Sequence, residues 1–136
     1  MILSDTSVWS IALRRRHHDR NDAEKRLYFH WHEAVRTGQA CLMGPIRQEV
    51  LSGVPSTAQF QTLKSQLDVI PSLPIDDAIW ELAAEYFNTC RRHGIAPAAT
   101  DMTICAAAHV HGASIFTTDP DFARYSAHLP ITLHTV

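Results

Sequence analysis

The sequence predicts an α/β fold in which helices flank a central, mostly parallel five-stranded sheet. Two observations carry that prediction. Short apolar runs alternate with longer stretches of helical periodicity, the arrangement expected of strand–helix–strand crossovers rather than hairpins. Four acidic residues, Asp5, Glu49, Asp101 and Asp119, each fall at the end of a predicted strand or in the first half of a predicted helix. In an open α/β sheet those positions converge on one edge.

The elements follow in order. Residues 2–4 read as a short buried strand, and Thr6-Ser7 begins a helix that runs through Leu13. Arg14 to Asp22 is a polar connector, after which Leu27, Trp31, Ala34 and Val35 mark a helix over 23–37 that Gly38 stops. Ala40 to Met43 is the second strand. Gly44-Pro45 opens the next helix, where proline is tolerated in the first turn because its missing N–H would be unpaired there anyway. Ile46, Val50 and Leu51 face the core on that helix, leaving Glu49 beside the apolar stripe. A helix over 56–67 leads to Val69-Ile70 as the third strand, and a long amphipathic helix over 75–93 buries Ile79, Leu82, Ala83, Tyr86, Phe87 and Cys90 before Gly94. Thr100 caps a helix that Gly112 terminates, and strands at 114–117 and 131–133 complete the sheet.

At 136 residues the chain reads as one domain, 1–136, with a single core. No apolar run approaches the length of a membrane span, and the N-terminus lacks the basic and apolar regions of a signal peptide, so a cytoplasmic location is expected. Cys41, Cys90 and Cys105 are odd in number and not closely paired, which argues for small core residues rather than a disulfide framework or a zinc site. A formal charge of −2 excludes a bulk-basic nucleic-acid binder but not local basic patches. The run Arg14-Arg15-Arg16-His17-His18 is such a patch: a solvated connector, or a phosphate contact beside the site. His30 and His32, and His109 and His111, are two apart on helices, which points their rings away from each other.

The acids carry the chemistry. Several carboxylates within about 5 Å repel by roughly 3 kcal/mol per pair at an effective dielectric near 20. No lysine or arginine stands within their motifs except Arg47. A divalent cation would relieve the repulsion, and oxygen-only ligation suits Mg²⁺ or Mn²⁺. Each acid also has an ordinary use. Asp5 can cap a helix, Glu49 can be a solvated helix carboxylate, Asp101 is favoured in a first helical turn, and Asp119 and Asp121 around Pro120 suit a turn.

Four segments stand together in order: Ser4-Asp5-Thr6-Ser7-Val8-Trp9, Gln48-Glu49-Val50-Leu51-Ser52-Gly53, Ala99-Thr100-Asp101-Met102-Thr103-Ile104-Cys105-Ala106-Ala107, and Thr117-Thr118-Asp119-Pro120-Asp121-Phe122. In these the chain resembles the PIN-domain ribonucleases, specifically the VapC-like toxins of type II toxin–antitoxin modules. Any one segment is common; four in register, spanning essentially the whole chain, are specific. The resemblance implies a PIN-like three-layer α/β/α sandwich and a Mg²⁺- or Mn²⁺-dependent endoribonuclease that hydrolyses phosphodiester bonds of structured cellular RNA. By the same resemblance Asp5 and Asp101 are the principal metal ligands, while Glu49 and Asp119 complete the pocket as ligands or by orienting the attacking water. Asp121 is the alternative to Asp119, which is nearer the strand end. The implied partners are the RNA substrate, a small antitoxin that occludes the pocket with an arginine, and a second copy in a homodimer; no membrane is involved. The competing readings are an inactive RNA- or protein-binding module and a phosphatase on a similar sheet, the latter disfavoured because Asp5-Thr6-Ser7 lacks a second acid.

Overall fold

The computed structural model describes residues 1–14 and 17–136, with the side chains of 14–17 outside the description. Three short parallel strands form the centre: β1 (Ile2–Ser4), β2 (Ala40–Cys41) and β3 (Ser114–Phe116), in the order β2-β1-β3. Ile2 pairs with Ala40 on one side and Ser114 on the other, which sets the register of the whole sheet. All three residues of β1 are buried, so both faces of the sheet are covered.

Five strands were expected and three are present among the described residues, with single parallel bridges where the outer two should be. Leu42 donates its N–H to Pro71 and accepts from Leu73, at 2.8 and 2.7 Å. Ile115 donates to Thr132 and accepts from His134, at 2.8 and 2.7 Å. The sheet therefore continues by one residue at each edge. The expected third strand at Val69-Ile70 is displaced: Val69 is the C-cap of a helix and 76% exposed, Ile70 N–H bonds back to Leu67, and the bridge forms at Ser72. Two β-branched residues imitated a strand where the preceding helix was still closing its last turn.

Helix α1 (Thr6–Trp9) continues as a wider turn over Ser10–Arg14, and a short 3₁₀ turn spans His17–Asp19. The basic run at 14–18 lies largely outside the described residues. Helix α2 (Asp22–Arg36) begins in a capping box between Asn21 and Glu24 and buries Leu27, Trp31 and Ala34. Helices α3 (Gly44–Leu51), α4 (Thr57–Asp68), α5 (Asp77–Arg92) and α6 (Ala99–His111) occupy the long connection to β3. Helix α6 is buried continuously from Met102 to Ala108, as its Ala-rich sequence allows, and ends at Gly112 with φ +69°, a left-handed C-cap. Its N-cap is Ala98 rather than the expected Thr100, so no side chain caps it, yet Asp101 remains in the first turn. Helix α7 (Asp121–Ser126) was not expected: Phe122 and Tyr125 are three apart, and both are buried.

Trp9 and Trp31 meet edge to face at 5.3 Å within the core, whereas Trp80 is half exposed. All three cysteines are buried. His109 and His111 hold different loops, bonding to the carbonyls of Pro130 and Pro74 respectively. No described helix is long and apolar enough to cross a membrane.

Candidate active site

The parallel register brings Ser4 beside Phe116, so the residues that follow, Asp5 and Thr117, leave the sheet together. Asp5 N–H extends the ladder by one bond to Phe116 at 3.0 Å. Its carboxylate is then fully employed. Oδ1 accepts from the backbone N–H groups of Ser7 and Val8 at 3.0 and 3.3 Å, capping α1, and from the Ser7 hydroxyl. Oδ2 accepts from the Thr117 hydroxyl. Asp5 is thus a helix cap whose second oxygen is held by Thr117, at 5% exposure.

The segment after β3 is tied to the same point. Thr118 N–H donates to Ser7 Oγ and Asp119 N–H to Thr117 Oγ1, each at 2.9 Å. Asp119 Oδ1 accepts from the N–H of Asp121 at 2.9 Å, an Asx turn that leads directly into α7. Across from it, the first turn of α6 presents Asp101, whose Oδ2 accepts from the Tyr125 hydroxyl at 2.8 Å. Asp101, Asp119 and Asp121 each offer one carboxylate oxygen, all within 4.8 Å of one another. Glu49, on α3, accepts at its Oε2 from the hydroxyl of Thr6, the residue after Asp5.

Both Asp119 and Asp121 lie close to Asp101, one from the strand end and one from the start of α7. Asp5 and Glu49 are outside that triad and are held by hydroxyls. Tyr125 was missed because α7 was read as a turn; the signal was the apolar pair Phe122 and Tyr125 at helical spacing after Asp-Pro-Asp.

Burial is the main reason that the Asp101 carboxyl sits above its ordinary pKa; the Tyr125 bond opposes this, and the charges of Asp119, Asp5 and Asp121 push it further up. Asp5 is likewise raised by burial, against its hydrogen bonds from Ser7, Thr117 and Val8. The Tyr125 phenol is pushed well up by burial and by Asp101, so it remains a neutral donor.

The donor set fits a hard divalent cation. Every side-chain group at the triad is an oxygen, and oxygens around an octahedral ion at 2.0–2.1 Å lie about 3–4 Å apart, within reach of a 4.8 Å cluster. Among the described residues, cationic side chains do little to neutralise it. Arg47, the one cation expected from the motifs, turns away to Asp68 at 3.1 Å and to the Leu67 carbonyl. Arg124 reaches Asp121 only at 3.9 Å.

Comparison with known proteins agrees with this geometry. The family model described as PIN domain matches residues 2–127. Ribonuclease VapC11 of Mycobacterium tuberculosis is 36% identical over 124 residues, covering 90% of this chain and 89% of that protein. A VapC ribonuclease of Mycobacterium bovis matches over the same extent at 36% identity. Among solved structures, VapBC2 from Rickettsia felis, bound to a DNA fragment from its promoter, superimposes with a TM-score of 0.71 at 16% identity, covering 98% of each chain. A toxin–antitoxin complex from Klebsiella pneumoniae gives a TM-score of 0.70 at 20% identity, covering 90% of this chain and 91% of that one. At those identities the structural likeness concerns the fold. A family match spanning nearly all of the chain, joined to the acidic edge of its parallel sheet, establishes that it belongs to the PIN-domain family.

Proposed function

We propose that this chain is a divalent-metal-dependent endoribonuclease, folded as one domain over 1–136, that acts in the cytoplasm as the toxin of a toxin–antitoxin pair. The observation that carries the reading is the meeting of Asp101, Asp119 and Asp121 at the carboxyl edge of the sheet, within 4.8 Å of one another. Relatives named as ribonucleases at 36% identity supply the substrate class. Structural neighbours that are toxin–antitoxin complexes support an antitoxin as partner; the family resemblance implies that it is small and covers the acidic pocket, and that the chain forms a homodimer.

In this reading Asp101 and Asp119 hold Mg²⁺ or Mn²⁺, with Asp121 beside them and Asp5 as the fourth aspartate. When bound, the ion supplies Lewis-acid polarisation of a phosphate oxygen and lowers the pKa of a coordinated water. The protein's own groups do the rest. Tyr125 fixes the orientation of the Asp101 carboxylate through its 2.8 Å bond. Thr117 and Ser7 fix Asp5. Thr6 turns Glu49 toward the same edge, where a solvent-exposed carboxylate can accept the proton of the attacking water. No histidine is needed as a base.

The test is cleavage of structured cellular RNA by the purified chain in EDTA, Mg²⁺ and Mn²⁺, with RNA ends sequenced after induced expression. Activity restored by metal and abolished in Asp101→Asn and Asp119→Asn is expected. Full cleavage by Asp101→Asn at saturating metal refutes the assignment. A binding module in place of an enzyme would show neither metal uptake by calorimetry at millimolar concentration nor cleavage, and a phosphatase would yield a trapped phosphoaspartate.

A further inference from the structure

The hairpin of α5 and α6 places the end of α5 and the first turn of α6, which carries Asp101, at the same end of the molecule. Helix α7 crosses that end. Arg124 stands one turn after Asp121, and the bonds from Ala127 N–H to Arg124 and from His128 N–H to Tyr125 carry the turn on to His128. The His128 ring lies on the His93 ring, centroids 4.0 Å apart and planes 21° from parallel. His93 Nδ1 donates to the Thr89 carbonyl at 2.9 Å, and Arg92 donates to the Thr89 hydroxyl at 3.2 Å. A continuous ridge of Arg124, His128, His93 and Arg92, with Arg91 beside it, therefore leads away from the acidic site.

We infer that this ridge binds the phosphodiester backbone of one RNA strand next to the point of cleavage. The inference rests on the ribonuclease reading and extends it to how the strand is held. Several other described cations are committed elsewhere: Arg36 to Glu33, Arg47 and Lys64 to Asp68, and Arg20 to the carbonyls of Ile11 and Ala12. The ridge cations are exposed. The one acid paired with them is Asp121, at 3.9 Å from Arg124 with side chains 71% and 49% exposed, a loose pair that contributes little and exchanges readily for a phosphate. The helix dipole at the end of α5 favours Arg91, Arg92 and its C-cap His93 but accounts for neither Arg124 nor His128, which sit on α7 and the turn after it. Phosphates on either side of one taken by the acidic site would meet this surface, where guanidinium forks and the ring N–H of His128 match phosphate oxygens.

The test uses the full chain and a fluorescein-labelled single-stranded RNA oligonucleotide, titrated in EDTA over a range of salt so that the probe stays intact. Replacing both arginines (Arg92→Gln with Arg124→Gln) should weaken binding about tenfold at low salt. It should also reduce the slope of log affinity against log salt by about 1.4, two phosphate contacts at roughly 0.7 each. Removing both rings (His93→Ala with His128→Ala) should weaken binding a few-fold while thermal stability shows that the fold is kept. The control Arg36→Gln with Lys64→Gln removes the same charge away from the ridge and should leave the slope as in the parent. In metal the arginine variant should raise KM and keep kcat. A slope unchanged by the ridge substitutions, as would be found if the ridge instead served an acidic segment of a protein partner, overturns the inference, and so does a control that lowers the slope equally. Failure of the ribonuclease reading would appear separately, as absence of cleavage by the unaltered chain with the binding slopes still measurable.

Discussion

Replacing Asp101 by Asn should make the metal-free protein more stable, which is the opposite of what most substitutions at a half-buried, hydrogen-bonded position do. Two unit charges 4.8 Å apart, the outer limit of the Asp101–Asp119–Asp121 cluster, repel by about 3.5 kcal/mol at an effective dielectric of 20. Partial exposure and a Debye length of about 8 Å in physiological salt reduce that to about 1 kcal/mol per pair. Asp101 takes part in two such pairs and also feels Asp5. Against this, Asn accepts a weaker bond from Tyr125 than a carboxylate does, a loss of about 1 kcal/mol. The net gain is about 1 kcal/mol, or a Tm higher by about 3–5 °C for a domain of this size.

The pH dependence follows from the raised pKa of Asp101. A folded-state pKa above the unfolded value means that the fold favours the protonated acid. Below the unfolded value, near 3.9, both states are protonated and no penalty exists. The penalty grows as pH rises through the folded value and is complete above it. The Tm difference between Asp101→Asn and the parent should therefore be small near pH 3.5 and largest at neutral pH. Divalent metal should reverse the order: at one hundred times its Kd the ion adds about 2.7 kcal/mol to the parent and little to the variant. Thermal unfolding in EDTA and in Mn²⁺ at several pH values measures all three. A variant less stable than the parent in EDTA at pH 7.5, or one gaining as much from Mn²⁺, would refute the reasoning.

Three other substitutions probe different parts of the same structure. Tyr125→Phe removes the donor to Asp101, and should cost about 1–2 kcal/mol in urea unfolding while lowering kcat; the loss should shrink when Asp101→Asn is already present, because the two act through one contact. Asp5→Ala deletes a helix cap and strands the hydroxyls of Ser7 and Thr117, so it should destabilise by about 2–3 kcal/mol, opposite in sign to Asp101→Asn. Gly112→Ala meets no atom within 4 Å but forces φ +69° on a residue with a Cβ, and should cost about 1 kcal/mol by the same assay with RNA cleavage unchanged.

How far the sequence could be read depended on whether the controlling interactions were local. Helices α2 and α5 were legible because their apolar positions recur at helical spacing and their ends carry recognisable stops at Gly38 and Gly94. The outer strand at 131–133 was legible from Ile131 and Leu133, and Leu133 does bridge Ile115; the one through Ser72 was not, because a single bridge at a polar residue leaves no apolar run to see. Val69-Ile70 misled for the complementary reason, having strand-like side chains at a helix end. At the site, the acidic positions were visible as residue types at element ends, but their division of labour is tertiary. Which oxygens of Asp5 are taken up depends on Thr117, more than a hundred residues away in sequence. That Asp121 belongs with Asp119 depends on α7, which folds as a helix because Phe122 and Tyr125 find the core. The same six-residue helix supplies Asp121 to the cluster, Tyr125 to Asp101 and Arg124 to the ridge. Docking of α7 therefore couples the charge, orientation and surroundings of the site in one packing event, and Tyr125→Phe is the substitution that should disturb all three together.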